Sequence, residues 1–342
     1  MSKEDDDRLT DIAIRIAVLV EMVKLFHVQE FHAMMRKLER EIRIVFAQTK
    51  FKSLEGLTKY KLNRFVMSIR HATSKTFTEY IRDLTLSLRE FALADLELNR
   101  RAYASAKLES EKPLSDKEAI EYLLSIKEDE GDDIIPPLFG FKTITEDDEK
   151  IWTTATNIPI AANGIFLLPF LYSFASLSKA RIENTIRKGS ANNQTFDETL
   201  IEIVGTGEAK QGMSSVLDTV ENQGEAVINT VTGHIANTVS VAVTSALYDK
   251  YIWLSVMDNR TTDICKSRNL NVYYYGKGPV PPAHINCRST IAPITTNGND
   301  AVDETLRQWA ARQPEGIQAL IQTPKALHPK RLPSKITDIL EK

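Results

Sequence analysis

Apolar and charged positions alternate with helical spacing through the first third of the chain. One apolar stripe covers 9–45 and a second covers 77–98, which Asp95 interrupts. Lys, Arg and Glu fill the other face, and no proline occurs before Pro113. Two such stripes, separated by a break at 50–56, predict a long helical hairpin that packs along one seam. An apolar face left over from that seam would need a partner protein.

An acidic connector follows the hairpin, with charged runs at 127–133 and 146–149. After it, no charged residue occurs from Ile151 to Ser178, a stretch long enough to cross a membrane. Its two prolines oppose insertion, because they leave backbone groups that only neighbouring protein can satisfy. We therefore predict a buried segment that continues as a helix through 179–187, and membrane insertion is not expected.

The periodicity changes towards the C-terminus. A helix is predicted over about 228–247, and the alternation of apolar residues over 251–257 is typical of a strand. With the hairpin, these elements predict a mainly α protein with a small α+β lobe near its C-terminus. The predicted regions are a long-helix docking domain at 1–125, an acidic linker at 126–150, a lobe-containing domain at 151–298, and a C-terminal helix with a basic, proline-rich tail at 299–342.

Composition narrows the function classes. The chain has 342 residues, 42% of them hydrophobic, and a formal net charge of −3, so DNA contact requires a local basic patch. The tail supplies one that can meet phosphates or an acidic partner surface, formed by Lys325, Lys330, Arg331 and Lys335. Two cysteines and a charged N-terminus indicate synthesis in a reducing cytoplasm. The sequence contains no Walker motif, Gly-rich phosphate loop or H-E-x-x-H motif.

A polar turn follows the predicted strand. Asp258 is expected to accept backbone N–H groups of this turn, as short acidic side chains often do. Arg260 offers a planar donor fork for a carboxylate or for backbone carbonyls. Thr261 and Thr262 are expected to cap a short helix that carries Cys265. The turn thus prepares the position of the first of the two cysteines.

Three interpretations compete for Cys265, His284 and Cys287, the last two of which follow the corner Pro281-Pro282. Two thiolates and an imidazole suit Zn²⁺, with Asp258 or water as the fourth ligand. Buried packing around a hydrogen-bonded histidine ranks first, because the paired C-x-x-C spacing of structural zinc sites is absent. Catalysis ranks last: a Cys–His nucleophile needs an orienting third group and an oxyanion site, and the H-x-E and P-C-x-x-C motifs of a zinc deaminase are absent. We expect no catalytic residue, and Zn²⁺ is the one candidate cofactor.

The same stretch carries a family signature. The pattern Ser255-x-x-Asp258-x-Arg260-Thr261, Cys265, then Pro281-Pro282-x-His284-x-x-Cys287-Arg288 resembles the phage Mu F-like family, the minor head or head-morphogenesis proteins of tailed bacteriophages. The resemblance fades towards about residue 155 and does not extend to the hairpin. Ser289 stands where relatives often have a further cysteine, which removes one candidate ligand.

The resemblance implies a structural virion protein and not an enzyme. Such a protein acts in head assembly, DNA packaging or DNA ejection, first in the host cytoplasm and then in the virion. Its expected partners are the portal protein and other head or connector proteins, with several copies around the portal and packaged DNA as a further contact. Two alternatives stay open: an internal ejection protein that contacts host membrane or DNA, and an enzyme or toxin carrying a Mu F-like module.

Overall fold

Helices dominate the computed structural model of the protein, which describes residues 3–49, 53–107, 146–206 and 214–296. In chain order the elements are α1 (Lys3–Ala47), α2 (Lys59–Lys107), α3 (Glu146–Asn157), α4 (Leu167–Ala191), α5 (Phe196–Val204), α6 (Val216–Thr244), β1 (Lys250–Leu254), α7 (Asp263–Arg268), β2 (Val272–Tyr274) and β3 (Thr290–Ile294). The prediction of a mainly α protein with a small α+β lobe is confirmed.

The described residues group into two compact units. We call them the sheet unit (3–26, 86–107, 146–167 and 229–296) and the aromatic unit (27–49, 53–85, 168–206 and 214–228). Each unit combines part of the predicted hairpin with later residues. The domain boundaries expected at 125 and 151 stay predictions, and the first of them lies outside the described residues.

The aromatic unit shows how the hairpin packs. The rings of Phe46 on α1 and Phe65 on α2 lie 5.0 Å apart, and those of Phe31 and Tyr80 lie 5.5 Å apart. Partners later in α2 thus meet residues earlier in α1, so the two helices run antiparallel. Their shared seam is apolar, as the spacing of the sequence predicts.

In the sheet unit, β1 is the central strand of an antiparallel sheet with the order β2-β1-β3. Successive side chains of a strand point to opposite faces. Ile252 and Leu254 face one side, where they pack against residues of α1, and Tyr251 and Trp253 face the other, where the two cysteines lie. The two faces of β1 thus join a helix core to the candidate site.

The first half of α1 is buried on more than the hairpin seam. Ile14 and Val18 pack in one cluster with the sheet. The buried Asp6 accepts hydrogen bonds from the backbone N–H groups of Thr295, at 2.7 Å, and Thr296, at 3.2 Å. Apolar residues of α1 outside the hairpin seam are therefore covered here by the sheet of the same chain, and not by a partner protein.

The uncharged stretch 151–178 is not one buried segment, and that expectation was wrong. It contains the end of α3, a turn at 158–166 and the first half of α4. The helix α3 ends two residues before Pro159, because a residue that precedes a proline is disfavoured in a helix. Several large apolar side chains of this stretch are exposed, including Leu177 at 63%. The predicted helix at 179–187 is confirmed as part of α4.

Among the described residues, α6 is the helix that is long and apolar enough to span a membrane, yet 72% of its most apolar window is buried inside the fold. That burial is typical of the core helix of a folded domain.

The helix α6 begins at Val216, well before the predicted start near 228. Ser215 and Asp218 cap this earlier start reciprocally. The N–H of Asp218 donates to Ser215 Oγ at 3.0 Å, and that of Ser215 donates to Asp218 Oδ2 at 2.8 Å.

Candidate metal centre

Ser255 joins the segments that form the site. It follows β1, is fully buried, and its Oγ accepts a hydrogen bond from Trp253 Nε1 at 2.9 Å. The same hydroxyl donates to the carbonyl oxygen of Cys265 at 3.0 Å and lies 3.0 Å from Ser289 Oγ. One hydroxyl thus ties the end of β1 to both cysteine-bearing segments, a role that the sequence pattern did not specify.

Asp258 organises the turn after β1. Its Oδ1 accepts a hydrogen bond from the N–H of Arg260 at 2.9 Å, which confirms the predicted capture of a backbone donor. The cation that binds this carboxylate is Arg288, whose Nη2 lies 2.7 Å from Oδ1, while the side chain of Arg260 is exposed. Burial opposes ionisation of Asp258, but the hydrogen bond and charge of Arg288 outweigh it and lower the pKa of the carboxyl.

Replacing this cation tests the turn. Arg288→Met is expected to destabilise the protein by about 2 kcal/mol at pH 7, because the largely buried carboxylate of Asp258 loses its partner. The fold lowers the pKa of Asp258, so the stabilising contribution of the pair is fully present above the ordinary value of 3.8 and is lost as the pH falls through the lowered value. Urea denaturation at pH 7 and pH 3 measures the difference. A loss that is the same in the Asp258→Asn background would contradict the assignment.

The short helix α7 carries Cys265 but is not capped as predicted. Thr262 is its N-cap residue and makes no side-chain cap hydrogen bond. Thr261 does not cap it either: its hydroxyl accepts from the N–H of Asp258 at 3.0 Å and donates to the carbonyl oxygen of Val256. The capping prediction was therefore wrong, and Thr261 instead braces the turn that follows β1.

The corner Pro281-Pro282, joined by a cis peptide bond, leads into a segment anchored on α6. Asn286 has a positive φ of 60°, its N–H donates to Thr230 Oγ1 at 2.8 Å, and its Oδ1 accepts from Asn229 Nδ2 at 2.9 Å. These three residues support the site and were missed by the sequence reasoning. The available signal was an asparagine beside Cys287, since asparagine tolerates left-handed backbone.

The two thiols and the imidazole lie together. The Sγ atoms of Cys265 and Cys287 are 3.7 Å apart, and His284 Nε2 lies 3.2 Å from Cys265 Sγ. The ligand atoms of the three residues are all within 4.8 Å of one another, a grouping that could hold a metal ion. The sequence prediction that these three residues meet is confirmed. Asp258, the fourth ligand considered, belongs to the ion pair with Arg288 and not to this group.

Contacts among Cys265, Cys287 and His284 shift the pKa values of all three side chains. The hydrogen bond from the Cys265 thiol lowers the pKa of Cys287, against the opposing effect of burial, and the contact with His284 lowers it further. The same hydrogen bond raises the pKa of Cys265, and burial adds to that rise. Hydrogen bonding to Cys287 raises the pKa of His284. The cluster therefore favours one thiolate, and thiolate is the form in which cysteine binds metals.

The spacing of the two sulfurs is compatible with a tetrahedrally coordinated metal ion. Two sulfur ligands at ~2.3 Å from Zn²⁺ lie ~3.8 Å apart in a tetrahedral site, and the observed separation is 3.7 Å. Metal-bound histidines commonly donate their second ring N–H to a backbone carbonyl. His284 Nδ1 lies 2.9 Å from the carbonyl oxygen of Ile285, in position for that bond.

Apolar side chains enclose the thiols. Cys265 and Cys287 are 2% and 3% exposed and pack with Tyr251, Trp253 and Ile291. His284 is only partly buried, so the imidazole forms the outer side of the cluster. Packing and metal binding, ranked separately from the sequence, are thus compatible in one arrangement.

The basic tail, with Lys325, Lys330, Arg331 and Lys335, lies outside the described residues, as does the predicted linker up to 145.

Comparison with known proteins finds no matching family model, no similar curated protein and no similar solved structure.

Proposed function

We propose that this protein is a structural minor head protein of a tailed bacteriophage that binds the portal protein at the portal vertex, with a C-terminal lobe fastened by Zn²⁺. One observation carries the proposal. Residues that resemble the Mu F-like signature contact one another within one lobe: Ser255, Asp258, Thr261, Cys265, His284, Cys287 and Arg288. These contacts support a structural role, because the side chains of the signature bind one another.

The surroundings of the cluster support a structural role over catalysis. A Cys–His nucleophile needs a group that orients the imidazole, commonly a carboxylate or an amide side chain. Among the described residues, the group at His284 Nδ1 is the backbone carbonyl of Ile285. The carboxylate of Asp258 binds Arg288. Turnover of a peptide, nucleic-acid or NAD substrate that disappears in His284→Ala would reverse this view.

The hairpin supports a docking role. The first half of α1 shares a core with the sheet, so this part of the hairpin is fixed to the lobe that holds the cluster. We propose that the hairpin is the arm that contacts the portal and other head proteins.

Zinc content tests the metal part. The purified chain is expected to retain about one Zn²⁺ per molecule after exhaustive dialysis, measured by elemental analysis, because three ligands with this geometry bind it tightly. Cys265→Ser and Cys287→Ser should each lose most of the metal, since a hydroxyl is a poor ligand for zinc. A chelator should lower the melting temperature of the wild type and leave these variants unchanged.

Asp258→Asn is the matched control. It alters the only other residue considered as a ligand, and it should keep the zinc because that carboxylate binds Arg288. If Asp258→Asn lost the zinc and Cys265→Ser kept it, the proposed set of ligands would be wrong. Wild-type protein without stoichiometric zinc, purified without chelators, would refute the metal.

The assembly part is tested independently of zinc. The chain is co-expressed with the portal and major capsid proteins of its own phage and captured by affinity. Retention of the portal protein, together with a few copies of the chain in purified particles by mass spectrometry, is the expected result. Absence of the chain from purified particles would refute the proposal.

A further inference from the structure

The only two cysteines of the chain are neighbours in the fold. Their Sγ atoms lie 3.7 Å apart, both thiols are free, and both are buried. A disulfide bond needs sulfurs ~2.05 Å apart, so the two sulfurs lie about 1.7 Å from bonding distance. The fold has thus brought together the two side chains that a disulfide would join.

The sheet holds the two cysteines together, independently of any metal. β1 and β3 pair antiparallel, with Leu254 opposite Thr290, so the segments leaving these strands begin side by side. The hydroxyl contact between Ser255 and Ser289 at 3.0 Å continues that pairing. Cys265 follows on the β1 side, and Cys287 precedes β3.

We propose that Cys265 and Cys287 form a reversible disulfide when a small hydroperoxide reaches the metal-free cluster. The lobe would then be fastened covalently in oxidising surroundings and by Zn²⁺ in reducing ones. Disulfide formation stands on the geometry of the two sulfurs alone. The alternation with metal rests on the proposed zinc site, and the two parts are tested separately.

The chemistry balances with the peroxide as oxidant. One cysteine sulfur, after losing its proton to solvent, attacks one oxygen of hydrogen peroxide, the O–O bond breaks, and the leaving hydroxide takes a proton from solvent to become water. The sulfur is then a sulfenic acid. The second cysteine attacks this sulfur, the S–O bond breaks, and a second water leaves as the disulfide forms. Two thiols are oxidised, and one peroxide is reduced to two waters.

His284 is the member of the cluster nearest to solvent. Its ring contacts Cys265 Sγ, and the next residue, Ile285, is exposed. Hydrogen peroxide is close to water in size, so it suits a site with buried thiols better than a bulky disulfide reagent does.

The experiment uses the reduced, chelator-treated full chain and hydrogen peroxide at a slight molar excess. Remaining thiols are alkylated in denaturant and the intact mass is measured. The expected product is a monomer lighter by two hydrogen atoms, with no alkyl group, that returns to two alkylated thiols after dithiothreitol. Its melting temperature should rise by several degrees over the reduced, metal-free form.

Controls separate this route from random oxidation. Cys265→Ser and Cys287→Ser cannot close the bond, so each should accumulate a sulfinic acid or retain its alkylatable thiol. The wild type oxidised in denaturant is the reference if these variants fold poorly, and closure should be at least tenfold faster in the native protein. Native protein that keeps two alkylatable thiols, oxidises each thiol separately, or closes no faster than the denatured chain would overturn the proposal.

A second arm addresses the metal. Preloading the chain with ZnCl₂ should slow disulfide formation at least tenfold, because both sulfurs are then ligands. If zinc does not bind, this protection disappears while the disulfide still forms. Failure of the zinc site and failure of the disulfide therefore give different results.

Discussion

Asp95→Asn is expected to stabilise the protein by about 4 kcal/mol at pH 7. Asp95 lies on α2, fully buried, and burial raises the pKa of its carboxyl to about 8. Asn99 Nδ2 donates to its Oδ1 at 3.0 Å, while Oδ2 has no hydrogen-bond partner. The fold therefore keeps this carboxyl protonated. The amide of asparagine has nearly the same shape and never ionises.

The pH dependence has a definite sign. The pKa of Asp95 in the fold is above its unfolded value of 3.8, so its contribution is fully present below about pH 4 and is lost as the pH rises through about 8. His27 acts in the opposite direction, because burial lowers its pKa from 6.5 to about 3. Its contribution is present above pH 6.5 and is lost as the pH falls through about 3.

Urea denaturation of the wild type and Asp95→Asn at pH 4, 7 and 8.5 tests this. The stability difference should be near zero at pH 4 and should grow with pH, and His27 cancels because it is the same in both proteins. A His27→Gln variant should show the mirror-image pattern towards acid. An Asp95→Asn effect that does not vary with pH would show that the carboxyl is ionised in the fold.

Gly224→Ala is expected to destabilise the protein by about 2–3 kcal/mol, although alanine is the better helix former. A Cβ at Gly224 would lie 2.1 Å from Cζ of Phe31, far inside contact distance. The ring of Phe31 is fully buried between those of Tyr80 and Phe174, at 5.5 and 5.9 Å, so it has little room to turn away. Overpacking of this kind outweighs the gain of about 1 kcal/mol in helix propensity.

Gly233→Ala on the same helix is the matched control. Its Cβ would meet only the end of the Lys24 side chain, at 3.5 Å, which is ordinary contact. This variant should therefore gain up to about 1 kcal/mol, from helix propensity alone. Thermal and urea denaturation of the two variants should shift in opposite directions. If both variants shifted in the same direction, the Phe31 ring would not be close enough to Gly224 to exclude a Cβ.

Long periodic segments were predictable because their apolar spacing reflects burial directly. That spacing predicted the hairpin and most of α6. In α1, however, it did not predict all of the buried residues. Ile14 and Val18 lie off the expected stripe, and only the distant strands explain their burial. β3 was not predicted at all, since Pro293 argues against a strand. The proline is tolerated because β3 lies at an edge of the sheet, where β1 is its one partner among the described residues.

The candidate site was predictable in membership but not in detail. Rare residue types near one another in sequence identified Cys265, His284 and Cys287. Which cation binds Asp258 was not readable, because Arg260 is near in sequence and Arg288 is near in space. Hydrogen bonds such as that between Asn286 and Thr230 depend on how α6 packs, which local pattern does not encode.

The bond between Asp6 and Thr295 has a consequence for synthesis on the ribosome. These residues are 289 positions apart, and the first half of α1 completes its core only with β1 and β3. The apolar side chains that face the sheet, such as Ile14 and Val18, stay uncovered until most of the chain has been translated. Contacts so distant in sequence slow folding. We expect the nascent chain to depend on chaperones, and premature termination before β3 to yield insoluble product.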